Sequence, residues 1–301
     1  MKRKEVLLSK RDWALKISMH VFLIVLAVLC VVPFLYVIGS SFQTQGDITA
    51  NGYKIIPGDA TLDTYKMILE TPKKLIDAYK VTILITILGT IGGLWIMSTY
   101  AYVISRKNYA YRKFLSFLIF FTMLFSGGLV PSYILMTRWL ELKDSYLALI
   151  LPLMCSAWNI LLMKGFFQDI PESLIEAAKI DGASELKTFI RIVIPISKPA
   201  FATIGLFLVL GYWNSWYQSL LYIESSDKVT LQYMLMTLMK NIELLNSAEA
   251  QQYGMAIQGM NAPTLGARMA MCVLAVGPIV FVFLFFQKYF VSGLTVGSVK
   301  G

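Results

Sequence analysis

Apolar residues along the chain fall into six blocks, 17–40, 81–104, 114–137, 147–163, 201–223 and 269–286, separated by polar stretches. Crossing a hydrocarbon core takes about 20 apolar residues in a helix, within a range of about 17–25. Inside a bilayer the backbone polar groups must be bonded within the segment, so helices are predicted rather than an open sheet. The pattern therefore predicts an all-α membrane protein of six transmembrane helices. Every Asp, Glu, Lys and Arg lies outside the blocks. Segments 1–16, 105–113, 164–200 and 287–301 hold 17 basic and 7 acidic residues, whereas 41–80, 138–146 and 224–268 hold 10 and 11. Basic residues accumulate on the cytoplasmic side, so the first set is assigned there and both termini are expected to be cytoplasmic. The chain then divides into a tail 1–16, a transmembrane domain 17–291 with an extracytoplasmic loop 224–267, and a tail 292–301. The first block follows a basic start, but it is too long for a signal-peptide core of about 7–15 residues and shows no small-residue cleavage site. It reads as a retained anchor.

Composition agrees with this division: of 301 residues, 57% are hydrophobic and only 15% charged, against about 25% charged in soluble domains. The net charge of +9 is mostly a consequence of topology. No basic stripe with interleaved aromatics occurs, so a nucleic-acid partner is excluded. Cys30, Cys155 and Cys272 lie inside blocks without metal or disulfide spacing and read as packing residues. His20, the only histidine, reads as interfacial. The blocks hold no ionisable group of the kind proton-coupled transporters keep inside their bundles. No GxxxxGK[ST] loop, HExxH, GxSxG or paired-carboxylate arrangement is present. The chain is expected to be no enzyme and to bind no cofactor or metal, and any energy source must come from another chain.

Small and polar residues inside the blocks mark close packing or a path. Gly89 and Gly93 form a GxxxG, which lets helix backbones approach closely, and packing is the favoured reading. Block three is interrupted at MLFSGGLVPSYILM, where Gly127 and Gly128 lack Cβ atoms and Pro131 lacks a backbone donor. Broken helices at membrane depth are tolerated where the backbone lines a cavity or is covered by protein. Block five carries GYWNSWYQ. Tyr212, Trp213, Asn214, Trp216, Tyr217 and Gln218 combine flat rings with amides, a set suited to the apolar faces and hydroxyl rims of sugars. The alternative for these residues is an interfacial aromatic belt. Asn159 in block four is a weaker member of the same candidate path.

The longest predicted cytoplasmic segment, 164–200, holds five basic and five acidic residues. Within it PESLIEAAKI reads as a short helix, with Pro171 suited to the first turn and Glu172 and Glu176 placed early. Gly182 is expected to end that helix in the left-handed conformation. A second segment, SELKTFIRIVI, starts at Ser184 and ends at Pro195, and Pro199 precedes block five. The residues themselves leave two readings open: a projecting helix pair that another protein approaches, or a linker lying on lipid headgroups.

EAAKIDGASELKTFIRIVIPISKPA resembles the EAA loop of binding-protein-dependent ABC importer permeases, whose pattern is EAAxxDGA followed by IxLPxxxP. Glu176, Ala177, Ala178, Asp181, Gly182, Ala183, Ile192, Pro195 and Pro199 match in register, and Ile194 replaces the usual leucine. The resemblance covers nearly the whole chain. MLFSGGLVPSYILM and FFQKYFVSGLTVGSVKG are similar to the carbohydrate-uptake branch, particularly its oligosaccharide and complex-glycan subgroup. The resemblance implies a type I ABC importer permease fold in a bacterial cytoplasmic membrane. It also implies a carbohydrate solute, a second homologous permease, two ATPase subunits carrying ATP and Mg, and an extracytoplasmic substrate-binding protein. The loop 167–199 would be the ATPase-coupling element, 224–267 would face the binding protein, and the tail would reach the ATPases. The alternatives are a permease for a different small solute, a secondary transporter or facilitator, and a membrane-embedded enzyme.

Overall fold

A computed structural model describes residues 10–70, 72–245 and 265–298, which form helices joined by turns and short connectors, with one isolated antiparallel bridge between Gln43 and Ala60. In chain order the helices are α1 Lys10–Ser41, α2 Gln45–Asn51, α3 Asp63–Glu70, α4 Pro72–Ser105, α5 Arg112–Leu124 and α6 Leu129–Ile134. They continue as α7 Tyr146–Met154, α8 Ala157–Gln168, α9 Glu172–Ile180, α10 Glu185–Thr188, α11 Ile194–Ile196, α12 Lys198–Trp213, α13 Tyr217–Tyr222, α14 Leu231–Leu245 and α15 Leu265–Ser298. Five-residue π-helical turns extend α6 over Leu135–Trp139 and join α10 to α11 over Phe189–Val193.

Among the described residues, Trp13–Ser41, Lys73–Ser105 and Leu265–Leu284 are long and apolar enough to cross a bilayer unbroken. Three further pairs meet the same criteria only together: α5 with α6 and its π turn, bent by 112°; α7 with α8, bent by 49°; and α10–α11 with α12, bent by 84°. The first bend falls at the predicted interruption, where Gly128 has φ +84° and the Ser132 hydroxyl donates to the Gly128 carbonyl at 2.8 Å. The second bend is absent from the block pattern. There Cys155 is extended, Ser156 caps α8 by accepting from the Asn159 amide, and its own N–H donates to Met97 Sδ at 3.4 Å. Block five also divides: α12 stops at Trp213 and α13 restarts at Tyr217. The reason is local, since the Asn214 amide turns back to the Leu210 carbonyl at 2.9 Å, which favours a stop over continuation. The loop predicted over 224–267 contains α14, and 246–264 lie outside the described residues. At the other end, the predicted tail 292–301 continues as helix to Ser298.

The chain comprises two compact units. Unit one holds 1–70 and 241–274. In it α1 leaves its apolar side chains from Trp13 to Val31 exposed, and among the described residues the chain packs on α1 at its C-terminal end. Gln43, fully buried, donates to Asp47 Oδ2 at 2.7 Å and accepts from the Lys54 amide at 2.9 Å, folding residues 44–54 back on that end. A Cβ on Gly39 would lie 2.0 Å from the Ile55 carbonyl oxygen, so only glycine permits the approach.

Unit two, 71–240 and 275–301, holds the main core. α4 is its axis and packs against α5, α7, α8 and α12. A Cβ at Gly89 would sit 2.2 Å from the Tyr212 ring, and one at Gly93 would sit 2.8 Å from the Met154 carbonyl oxygen. The GxxxG is thus a packing device. Tyr212, fully buried, also donates its hydroxyl to the Ile150 carbonyl at 2.8 Å, tying α4, α7 and α12 at one point. Gly89→Ala is expected to destabilise the protein by about 2 kcal/mol through overpacking. Tyr212→Phe should cost about 1 kcal/mol for the lost hydrogen bond. Thermal unfolding of the detergent-solubilised protein checks both, and the glycine variant should be the worse.

Candidate functional site

α9 runs Glu172–Ile180 and its polypeptide then turns back over four residues. Pro171 caps the helix from outside at φ −54°, ψ 127°, one position before the first turn predicted for it. The C-terminus is a Schellman motif: the Ala183 N–H donates to the Ala178 carbonyl at 2.9 Å, and Gly182 N–H to Lys179 at 3.0 Å. Gly182 has φ +74°, where a side chain is strained, while a Cβ there would meet nothing within 4 Å. Its glycine is therefore set by backbone conformation. Ser184 caps α10 by accepting from the Lys187 amide at 3.3 Å. The predicted helix–glycine–helix shape is present.

Two faces of this hairpin differ. Ile175, Ala178 and Thr188 are buried, and Phe189 is buried against Tyr102 (5.1 Å between ring centroids), Trp95 (6.1 Å) and Phe167 (6.4 Å). The π turn at Phe189–Val193 directs both its end residues inward, a break inside what the sequence reads as a single segment, SELKTFIRIVI. Glu185 fastens the hairpin: it accepts from the Tyr102 hydroxyl at 2.6 Å and pairs with Lys179 at 2.7 Å. Lys179 first, and the Tyr102 hydroxyl next, hold its carboxyl below the ordinary glutamate range. Arg106 lies over the Tyr102 ring at 4.9 Å and donates to the Phe167 carbonyl, and Lys107 pairs with Glu172 at 2.9 Å. The outer face is open. Glu176, Ala177, Asp181 and Gly182 are exposed, Ala183 is half-buried, and Ile180 and Leu186 stand 86% and 58% exposed. Pro195 lies in α11, beyond the hairpin. A rigid, anchored loop thus presents apolar tips and small residues to whatever approaches it.

The residues assigned to a path fall into two environments. Tyr212 and Trp213 are buried, the Trp213 indole donating to the Ala275 carbonyl at 2.9 Å, so neither ring face is open. Asn159 is also buried. Asn214, Trp216 and Tyr217 are exposed, the two rings standing edge-to-face at 5.7 Å. Gln218 accepts from the Ser215 hydroxyl at 2.7 Å, and Gly127 and Gly128 are exposed at the 112° bend.

Two charged residues escaped the sequence reading. α15 starts at Leu265, four residues before block six, which brings Arg268 into its first turn with Nε buried and unbonded. Asp144 is the centre of a clamp. Held at φ +56°, it accepts through Oδ1 from the amides of Glu224 (3.1 Å) and Ser225 (3.0 Å). Through Oδ2 it accepts from the Ser225 hydroxyl and from Lys228 Nζ, the latter at 3.0 Å. The only sequence signal was an aspartate in a short polar connector, a residue type that tolerates the left-handed region.

Comparison with known proteins agrees with this geometry. Residues 8–296 match the family described as binding-protein-dependent transport system inner membrane component, and the chain belongs to it. It is 39% identical over 280 residues to the polygalacturonan/rhamnogalacturonan transport system permease protein YtcP of Bacillus subtilis, covering 93% of this chain and 96% of that one. Protein LplC of the same organism is 41% identical over 271 residues, 90% of each chain. A chain from the crystal structure of a bacterial ABC transporter that imports the acidic polysaccharide alginate superposes with a TM-score of 0.80. It is 28% identical, with 94% of this chain and 99% of that chain covered. The protein is a membrane-embedded permease subunit of an ABC transporter.

The Asp144 hydrogen bonds, that from the Ser225 hydroxyl first, hold its carboxyl well below the ordinary 3.8. Its contribution to stability is therefore complete above that value and drains away as pH falls below it. Asp144→Asn should lower the thermal midpoint at pH 7, and the difference from the unmodified protein should shrink on acidification below pH about 4. Differential scanning fluorimetry across pH measures this.

Proposed function

We propose that this chain is one permease half of an importer for oligosaccharide or polysaccharide fragments. A second homologous permease completes the bundle, an extracytoplasmic binding protein delivers solute, and two ATPase subunits hold ATP and Mg. The subunit itself carries no nucleotide site in this reading. The relatives named for pectic polysaccharides and the neighbour importing alginate support a glycan solute. The charge distribution supports six spans with both termini in the cytoplasm, the span after the hairpin beginning at α12, past the 84° bend that leaves the charged α10 outside the core.

The observation that carries the reading is the hairpin 172–188. Its apolar tips face outward while Glu185 and Phe189 fix it to α4, the arrangement a docking element needs. Closure of the ATPases would move the hairpin as a rigid piece and, through the 84° bend into α12, shift the bundle between outward and inward access. The solute path takes its exposed lining from Asn214, Trp216, Tyr217, Gln218 and the Gly127–Gly128 bend. Tyr212, Trp213 and Asn159 hold that lining from behind. Extracytoplasmic contacts with the binding protein are assigned to 224–267, and the C-terminal end is assigned to the ATPase interface.

Gly182→Val tests the coupling assignment. A side chain at positive φ costs about 1 kcal/mol or more, so the variant should insert and assemble yet hydrolyse ATP without importing solute. Unchanged uptake at equal expression would refute the assignment. For the path, Asn214→Ala and Trp216→Ala should change uptake while the assembled complex survives. Trp213→Ala should instead lower thermal stability, because a buried ring and its hydrogen bond are lost.

A further inference from the structure

Below the hairpin's first turn lies a cavity of about 660 Å³, lined by Arg106, Lys107 and Arg112 together with Asp169 and Glu172. Lys113 follows Arg112 in the first turn of α5, and Lys164 reaches that helix one turn on, donating to the Ser116 hydroxyl at 3.0 Å. Glu172 is committed to Lys107, and Arg106 to the Phe167 carbonyl and the Tyr102 ring. Arg112 has neither an ion pair nor a hydrogen bond from its side chain among the described residues. α5 also starts without a side-chain cap, at Tyr111, so the positive end of its dipole adds to these cations instead of offsetting them. Placing two cations in a helix's first turn is unfavourable unless anions answer them, and the two carboxylates lining the cavity fall one short of its three basic groups. Directly above, Phe114 and Phe117 are 61% and 62% exposed, with Leu118 and Phe121 also open on α5. A cationic cavity therefore borders an exposed apolar helix face, which matches the two halves of a phospholipid and not a soluble acidic loop.

We propose that this cavity binds the phosphate group of an anionic phospholipid, with acyl chains lying along α5, and that the lipid tunes coupling. The proposal rests on the importer reading, with 105–113 and 164–200 on the cytoplasmic side as the charge distribution predicts. The headgroup would neutralise Arg112 and Lys113 and share Lys107 with Glu172, the first residue of α9. An occupied site would thus set how firmly the start of the hairpin is held.

The test uses the transporter assembled with its partner subunits in nanodiscs of phosphatidylcholine, with or without phosphatidylglycerol. Native mass spectrometry should find phosphatidylglycerol retained on the complex, and solute-stimulated ATP hydrolysis should be higher when it is present. Arg112→Gln with Lys113→Gln should weaken that retention, by about fivefold for each charge removed, and abolish the phosphatidylglycerol effect. Arg112→Lys, which keeps the charge, should preserve both. Equal retention by the doubly neutralised protein, or equal hydrolysis in both lipids, overturns the proposal. Inorganic phosphate reproducing the effect in phosphatidylcholine would assign the cavity to a free anion and overturn it too. Loss of the ATPase subunits from the neutralised variant would show a protein contact and likewise overturn it. Solute-stimulated hydrolysis in either lipid leaves the importer reading intact whatever the lipid result.

Discussion

Unit two is organised by one steric constraint: Gly89 and Gly93 let α4 lie against a tyrosine ring and a carbonyl with no room for a methyl group. In lipid there is no hydrophobic drive to press helices together, so association depends on dispersion contacts made at short range and on shared hydrogen bonds. Tyr212 supplies both, filling the notch and reaching Ile150. With α4 fixed against α7 and α12, its C-terminal end brings Tyr102 and Arg106 to defined positions. The hairpin 172–188 is built on those two residues. The Tyr102 contact that holds the hairpin therefore lies about two and a half turns beyond the Gly93 notch, along one uninterrupted helix.

That hairpin is stiff for reasons that differ along its length. The Schellman closure fixes the bend through backbone bonds alone, and Ser184 fixes the start of α10. Glu185 then joins a charge partner on α9 to a phenol on α4, so the loop and the bundle share one carboxylate. Phe189 completes the anchorage with three aromatic neighbours. A loop fastened this way is held to the bundle by backbone, charge and aromatic contacts at successive points.

Much of this was legible in the sequence, and the gaps have physical causes. Hydrophobic blocks locate helices because desolvation acts over whole turns, and Gly182 announced itself because positive φ excludes side chains. The bends at Cys155 and Asn214 were hidden: each results from a single polar side chain competing for a backbone group, which leaves the block apolar. The π turn after Thr188 has no compositional mark either. The six aromatic and amide positions of GYWNSWYQ looked like one feature by composition, yet the structure separates buried Tyr212 and Trp213 from exposed Asn214 and Trp216. Which side of a helix is covered depends on its neighbours, and neighbours are not written locally. Arg268 was missed because a block boundary set by apolarity stops short of a helix that continues through a charge.

The Asp144 clamp carries a consequence for biosynthesis. Its partners Glu224, Ser225 and Lys228 lie 80, 81 and 84 residues later in the chain. At about 5–20 residues per second, translation leaves the aspartate waiting roughly 4–16 s for them. During that interval α7, α8 and α12 must enter the membrane while the connector before α7 still lacks the contacts that hold its left-handed turn. The carboxylate then closes on residues emerging after α13, which makes the clamp a late latch: it forms only when the helices between have been threaded in the correct order.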